Sequence, residues 1–298
     1  MAAILNHFTS NPIRPLLPLN KLKPLSSSTK TIQVTTTDSN PTNWSTINAD
    51  VDARLKQALP IRDPIDVHQP MHDLVFSAPK TLVPALCTAA CELVGGEHKD
   101  GVDVASALNL MLAASYTHQY LPNLLQRPNP PSFPHNIELL TGDGIYPLGF
   151  ELLASPDGVG GDAERALRVI LEVARAMGGQ GLVEAQYMKV KRAKGELDVD
   201  CALMRMCERG EGSVYSCAAA CGAIVGGACE EDVEKLRRYG FYVGMIHGLL
   251  DGVGREGDVE EEVKRLRFLA LKELEGFDAE KVRAISSLVD ADTTRCVQ

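Results

Sequence analysis

The stretch "EDVEKLRRYGFYVGMIHGLLDG", residues 231–252, decides the fold class. Val233, Leu236, Gly240, Val243, His247 and Leu250 recur at intervals of 3, 4, 3, 4 and 3, while Glu234, Lys235 and Arg237 fall off that stripe. Residues three and four apart share one side of an α-helix, so the segment reads as a helix with one face turned inward. Upstream, "SVYSCAAACGAIVGG" (213–227) and "TLVPALCTAACELVGG" (81–96) are apolar, alanine-rich runs that end in Gly-Gly. Both read as buried helices closed by left-handed glycine caps. Downstream, "VEEEVKRLRFLALKELEGF" (259–277) and "DAEKVRAISSLV" (278–289) repeat the helical period. Near the start, "WSTINADVDARLKQAL" (44–59) places Ser45 or Thr46 to cap a first helix with Leu55 and Leu59 on one face. No β-branched alternation bounded by hairpin turns occurs, so the expected class is all-α.

The composition agrees. Only 5% of the 298 residues are aromatic, and Ala, Leu, Glu and Arg, strong helix formers, dominate the body. With 45% hydrophobic residues, 23% charged residues and a mean hydropathy of −0.06, the chain is neither disordered nor a disulfide mini-protein. It has no apolar run near the ~20 residues of a membrane span, so no membrane insertion is expected. The net charge of −9 argues against nucleic acid as a partner. The eight cysteines, at 87, 91, 201, 207, 217, 221, 229 and 296, read as reduced thiols in a chain too large to depend on cross-links.

Residues 1–37 contain no Asp or Glu, ten Ser or Thr, and the basic residues Arg14, Lys21, Lys23 and Lys30. That is the composition of an organellar transit peptide, and its Ser and Pro content fits the chloroplast. Residues 1–44 are therefore read as a disordered plastid address and 45–298 as a single helical domain. Two segments interrupt the helices: "LPNLLQRPNPPSFPHN" (121–136), with five prolines, and the glycine-punctuated "LDGVGREGDVEE" (250–261). Both are expected to be exposed loops.

No phosphate-binding loop, dinucleotide fingerprint or nucleophile elbow occurs. His68 and His72 have the spacing of a helical metal pair, but Pro70 lies between them and no third ligand is evident, so they read as loop residues. The least ordinary motifs are Cys87-Thr-Ala-Ala-Cys91 and Cys217-Ala-Ala-Ala-Cys221, each running into Gly-Gly. On a helix each pair forms a small apolar notch that admits a neighbouring helix closely. Periodicity leaves three readings open: packing inside the subunit, a partner-binding face, or a metal or redox site.

The segments "CTAACELVGG", "ALNLMLAASYTHQYLPN", "LLTGDGIYPLGFELLA", "GLVEAQYMKV" and "AIVGGACEEDVEKLRRYGFYVGMIHGLLD" stand in an order and spacing that resemble plant trans-prenyltransferases of the geranylgeranyl diphosphate synthase type, from about residue 45 to about 291. The resemblance implies an isoprenoid-synthase helical bundle. Catalytic members hold magnesium against a diphosphate with two Asp-rich motifs on facing helices. At the first, this chain reads Gln119-Tyr120-Leu121-Pro122-Asn123-Leu124-Leu125, so Gln119, Tyr120 and Leu125 replace aspartates. At the second it reads His247-Gly248-Leu249-Leu250-Asp251, which keeps only Asp251. At the motif that binds the homoallylic diphosphate, Ala78-Pro79-Lys80-Thr81-Leu82-Val83-Pro84 keeps Lys80 and lacks both arginines, while Gln186 survives in its own motif.

A family fold stripped of its acidic motifs, with two Cys-x-x-x-Cys pairs, resembles the small-subunit branch of plant geranyl diphosphate synthase. That resemblance implies a chain that is no enzyme on its own and has no cofactor of its own, the magnesium residing in a catalytic partner. The partner it implies is a geranylgeranyl diphosphate synthase large subunit, in a heterodimer or heterotetramer within plastids. By the same resemblance, the expected interface uses the helices of Cys87, Cys91, Cys217 and Cys221, and the expected effect is a shift of product toward ten-carbon geranyl diphosphate. A sister branch that enhances twenty-carbon synthesis shares the cysteine motifs. From another class, a helical scaffold unconnected with isoprenoids is the alternative.

Overall fold

Segments with almost no charged side chain have no face to give to water, so the alanine-rich runs around Cys87 and Cys217 go to the centre and amphipathic helices pack around them. The structure, a computed structural model, describes residues 42–120, 133–155, 159–197, 199–253 and 257–290. In chain order the helices are α1 (Thr42–Ala58), α2 (Ile65–Ser77), α3 (Val83–Leu93), α4 (His98–Tyr120), α5 (His135–Ala154), α6 (Ala163–Met177), α7 (Leu182–Ala193), α8 (Val199–Cys207), α9 (Ser213–Val225), α10 (Glu230–Val253), α11 (Gly257–Glu273) and α12 (Ala279–Ser286). No strand occurs among the described residues, and no helix there is long and apolar enough to cross a membrane.

Helix α9 is buried at every position from Val214 to Val225 and packs against α3, α4, α6 and α10. Helix α3 is buried except at Glu92. The two lie so close that a Cβ added at Gly222 would stand 2.1 Å from the Cys87 carbonyl oxygen. The expected left-handed caps are present, at Gly95 (φ 95°) after α3 and at Gly227 (φ 81°) after α9. Around this pair, α4 packs on α1, α3 and α5, and α10 on α9 and α11. Arg237 of α10 bonds Glu172 of α6, and the Tyr239 hydroxyl donates to the Ile285 carbonyl of α12.

Several expectations change. Helix α1 begins by Thr42, so Ser45 and Thr46 lie exposed inside its first turns rather than capping it, while Ile47, Val51 and Leu55 bury at four-residue spacing. The stripe of α10 faces inward as expected from Val233 to His247, but from Tyr239 to Leu249 every residue except Tyr242 is buried, because α9, α11 and the C-terminal turn enclose that half. The expected loop over 250–261 contracts. Helix α10 runs to Val253 and α11 starts at Gly257, where the acids at 258, 260, 261 and 262 suit a helix N-terminus. His68 and His72 stand on α2, not in a loop. Pro70 sits inside that helix past its first turn, where it removes the N–H bond to the Asp66 carbonyl and crowds that carbonyl with its ring. The Pro-rich stretch falls outside the described residues over 121–132, as does the N-terminal segment through residue 41.

Candidate functional site

Four elements that are far apart in sequence converge on one cavity of about 490 Å³. The end of α4 supplies Gln119, the turn before α3 supplies Lys80 and Thr81, α7 supplies Gln186 and Lys189, and the end of α10 supplies Asp251. A π-helical segment, Glu208–Gly212, joins α8 to α9 and brings Gly210 and Glu211 to the wall; its kink lies at Gly210 (φ −89°, ψ −105°). One extra backbone unit per turn widens the helix there and turns Glu211 toward α10.

The two degenerate motifs thus still face each other across the cavity. The Gln186 amide donates to Gln119 Oε1 at 3.0 Å, closing an amide pair where the catalytic pattern needs a carboxylate. Tyr120 ends α4 and Leu125 follows it; the side chain of the first and the whole of the second lie outside the described residues. His247 turns away from the cavity. It is buried, stacks on the Tyr215 ring at 5.4 Å between centroids and places Nε2 3.4 Å from the Leu288 carbonyl. At Gly248 an added Cβ would lie 3.1 Å from Cys207 Sγ and 3.2 Å from Glu211 Oε2, so a side chain there would require both neighbours to give way by a few tenths of an ångström. Asp251 is exposed at the rim. Both cavity lysines have carboxylate partners: Lys80 Nζ donates to Asp52 at 2.5 Å, and Lys189 Nζ lies 3.7 Å from Glu211.

A magnesium cluster needs several carboxylate oxygens converging on hard cations. This wall offers Asp251 and Glu211, the latter facing a lysine, and no group of three or more possible metal ligands occurs among the described residues. The donor set does not fit magnesium. Lys189 and Glu211 were not singled out from the sequence. Lys189 stands three residues after Gln186, on the same helical face, which was a readable signal; Glu211 depends on the π segment, which spacing does not reveal.

The cysteines occupy the other side of the core. Cys87, Cys91, Cys217 and Cys221 are 0–2% exposed and lie in the α3–α9 contact. The Sγ atoms of Cys217 and Cys221 are 3.7 Å apart, and Cys221 points its thiol at the Val169 carbonyl of α6 at 4.0 Å. In this chain all four side chains pack inside the subunit. These four side chains present no surface of their own to a partner, because close helix approach encloses them.

Burial also fixes their protonation. It pushes Cys91 up to about 12, helped by the charges of Asp100 and Glu92, and Cys207 up to about 12, helped by Glu211. Burial also raises Cys87 well above the ordinary thiol value, and Cys221 is raised by its contact with Cys217 and by burial. A thiol whose folded value lies above its unfolded value, near 9, adds stability that is complete below that pH and is lost as pH rises toward 12. Urea midpoints should therefore hold steady to about pH 8.5 and fall progressively above about pH 9. At about pH 8 a disulfide reagent should label exposed Cys229 in the folded chain and reach Cys87, Cys91, Cys217 and Cys221 only on unfolding. Rapid labelling of those four thiols without unfolding would contradict the enclosed packing.

No family model matches the chain. Among curated proteins it is 45% identical over 258 residues to heterodimeric geranylgeranyl pyrophosphate synthase small subunit 2, chloroplastic, of Cannabis sativa, covering 83% of this chain and 90% of that one. Among solved structures it matches the geranyl diphosphate synthase small subunit of Antirrhinum majus with a TM-score of 0.77 and 44% identity, over 84% of this chain and 98% of that one. A chain of the mint heterotetrameric geranyl pyrophosphate synthase, a deletion mutant in complex with ligands, matches with a TM-score of 0.74 and 40% identity, over 83% of this chain and 98% of that one. With this likeness running the length of the helical body, the chain belongs to the small-subunit branch of the plant geranylgeranyl and geranyl diphosphate synthase family of trans-prenyltransferases.

Proposed function

We propose that this chain is a plastid regulatory subunit without turnover of its own, which binds a catalytic geranylgeranyl diphosphate synthase subunit and shifts its product toward geranyl diphosphate. The observation that carries this is the loss of acids at both motifs: Gln119, held by the Gln186 amide, lines the cavity where the catalytic pattern has an aspartate, and at the second motif His247 is buried away from the cavity and Gly248 has no side chain. Membership of the family sets aside a scaffold unconnected with isoprenoids. Plastid residence is supported by the acid-free N-terminal composition and by the chloroplastic designation of the Cannabis relative.

The docking face that fits this role lies outside the thiol core. Helices α5 and α6 pack on each other and leave Leu139, Leu140, Leu167 and Leu171 exposed; Leu140 is 64% and Leu167 58% accessible. Large apolar side chains left exposed on two helices that pack together are what a partner subunit can cover. The Cys-x-x-x-Cys helices then act from behind, since α6 rests on α9 through Val169 and Cys221. A bound small subunit would shift the partner's conformational population toward early release of the ten-carbon product. The Pro-rich segment 122–134, which falls mostly outside the described residues, is a candidate contact.

The twenty-carbon alternative has a specific support: the Cannabis relative is named for geranylgeranyl synthesis and the Antirrhinum one for geranyl synthesis, at 45% and 44% identity. Mixing the chain with a plastid geranylgeranyl diphosphate synthase, isopentenyl and dimethylallyl diphosphates and magnesium, beside each protein alone, separates the readings by product length. Geranyl diphosphate appearing only in the mixture is the expected result. A rise in geranylgeranyl diphosphate alone would assign the chain to the enhancing branch, and turnover by the isolated chain would overturn the proposal.

A further inference from the structure

Helix α7 presents an outer face that neither the cavity nor the α5–α6 docking face uses. The helix packs chiefly on α8 and the π-helical segment, burying Ala185 and Met188, while Gln186 and Lys189 line the cavity. On the far side Val183, Tyr187 and Val190 recur at intervals of 4 and 3 and are 57%, 60% and 43% exposed. Lys191 and Lys194 continue that face, four and seven residues after Tyr187, with Arg192 beside them. The Lys191 ammonium lies over the Tyr187 ring, 5.0 Å from its centroid. Lys191, Arg192 and Lys194 have no ion-pair partner among the described residues. Glu184, the acid of the same helix, is already held by Arg205 at 2.8 Å and Arg209 at 3.2 Å. Beyond Lys194 the chain turns off the helix axis at Gly195 (φ 72°) before the next acid, Glu196. An exposed apolar row thus runs into a cluster of cations, on a chain whose net charge is −9. The helix dipole accounts for cations at a helix C-terminus, but it gives no reason to leave Val183, Tyr187 and Val190 in water. A surface that is anionic with hydrocarbon just beneath satisfies both features, and a lipid bilayer with anionic headgroups is such a surface. A protein partner fits less well, because three apolar side chains on one convex helix cover far less than the roughly 800 Å² per partner of a standard interface.

We infer that the outer face of α7 docks this protein reversibly on an anionic lipid surface. Val183, Tyr187 and Val190 enter the headgroup layer, where the tyrosine ring turns its apolar body inward and keeps its hydroxyl among the headgroups. Lys191, Arg192 and Lys194 lie against the anionic headgroups. The contact stays at the surface, since no helix among the described residues is long and apolar enough to cross a membrane. The acidic remainder of the chain is repelled by the same surface, which orients the molecule with α7 leading and keeps the binding weak and salt-sensitive. The face belongs to this chain alone and stands whether or not the chain binds a catalytic subunit.

The test is co-sedimentation of the full chain with vesicles of phosphatidylcholine alone and of phosphatidylcholine with about 30% phosphatidylglycerol. The expected result is binding to the anionic vesicles at least about tenfold stronger than to the neutral ones, and lost as salt is raised to about 0.5 M. Neutralising the cluster with Lys191→Gln, Arg192→Gln and Lys194→Gln together should weaken binding at least about tenfold. Tyr187→Trp reports the contact directly: its emission should shift to the blue on anionic vesicles and be quenched by brominated acyl chains, measured against the unaltered chain, whose one tryptophan is Trp44. Should the triple variant not fold, that emission decides the matter alone. No binding to anionic vesicles, equal binding to neutral ones, or an unshifted emission at position 187 would each overturn the inference. Full binding by the folded triple variant would overturn it too, by placing the lipid contact elsewhere, such as in the acid-free segment 1–37. Salt-sensitive binding to polyglutamate without binding to vesicles would assign the face to an acidic protein and refute the lipid site.

Discussion

Gly222→Ala is expected to lower the unfolding free energy by about 3 kcal/mol, although alanine is the better helix former by about 1 kcal/mol. Two effects of opposite sign compete at this position. Propensity favours the substitution, since Gly222 lies inside α9. Packing opposes it, because the new Cβ would stand 2.1 Å from the Cys87 carbonyl oxygen and 3.0 Å from the Ala90 side chain. A backbone carbonyl cannot rotate away as a side chain can, so α3 must shift as a body and loosen the contacts of Cys87 and Cys91. Sterics therefore win. Gly144→Ala is the internal control, since its Cβ meets only the flexible Met71 methyl at 4.0 Å on the exposed side of α5; it should stabilise by about 0.5–1 kcal/mol. Thermal melting of both variants checks the pair, with Gly222→Ala expected to melt roughly 6–12 °C lower. A Gly222→Ala chain as stable as the unaltered one would mean that α3 and α9 are not packed at backbone contact.

That contact also shows where the sequence was legible. The 3-4 spacing of α10, the Gly-Gly endings of α3 and α9 and the enrichment in small residues are local, so each could be read without knowing what lies opposite. The partnership of α3 with α9 is not local: Cys87 and Gly222 are separated by much of the chain, and the notch on one helix carries no mark of which helix fills it. The cysteine pairs were accordingly readable as packing notches, but not as notches for each other. The same holds at the cavity. Gln119, His247, Gly248 and Asp251 were identified by their place in degenerate motifs, yet nothing in their spacing shows that His247 points at Leu288 while Asp251 points at the cavity rim. Glu211 escaped because the π segment over Glu208–Gly212 shifts its register by one residue, and hydrophobic periodicity tracks the α-helix alone. The loop expected over 250–261 failed for a simpler reason: the glycines at 252, 254 and 257 suggest a break, but the acids after them favour a helix start, and the helix forms.

Restoring the acidic motifs should not restore an enzyme. A chain carrying Gln119→Asp, Tyr120→Asp, Leu125→Asp, His247→Asp and Gly248→Asp recovers the catalytic pattern in sequence but is expected to form no product above the unassisted background. The obstacle is physical and lies mainly in α10. At position 248 the new carboxylate would enter space bounded by Cys207 Sγ at 3.1 Å and Glu211 Oε2 at 3.2 Å from its Cβ. Two carboxylates there repel each other and must compete for Lys189, the one cation beside Glu211 that the cavity wall supplies among the described residues. At position 247 an aspartate would lose the stack on Tyr215 and set a carboxylate against the Leu288 carbonyl, inside the core instead of toward the cavity. Gln119→Asp alone is exposed and should alter stability by no more than about 0.5 kcal/mol. The source of the α10 penalty is itself testable, since Glu211→Gln should recover roughly 1–3 kcal/mol in the Gly248→Asp background and little in the unaltered chain. Urea unfolding measures that coupling, and incorporation of isopentenyl diphosphate measures turnover. Magnesium-dependent geranyl diphosphate from the five-fold variant would show that the motif residues were the whole difference. Its absence, together with the Glu211 coupling, would support the proposed lack of turnover and place its cause in the packing of Cys207, Glu211 and Gly248 as well as in the missing aspartates.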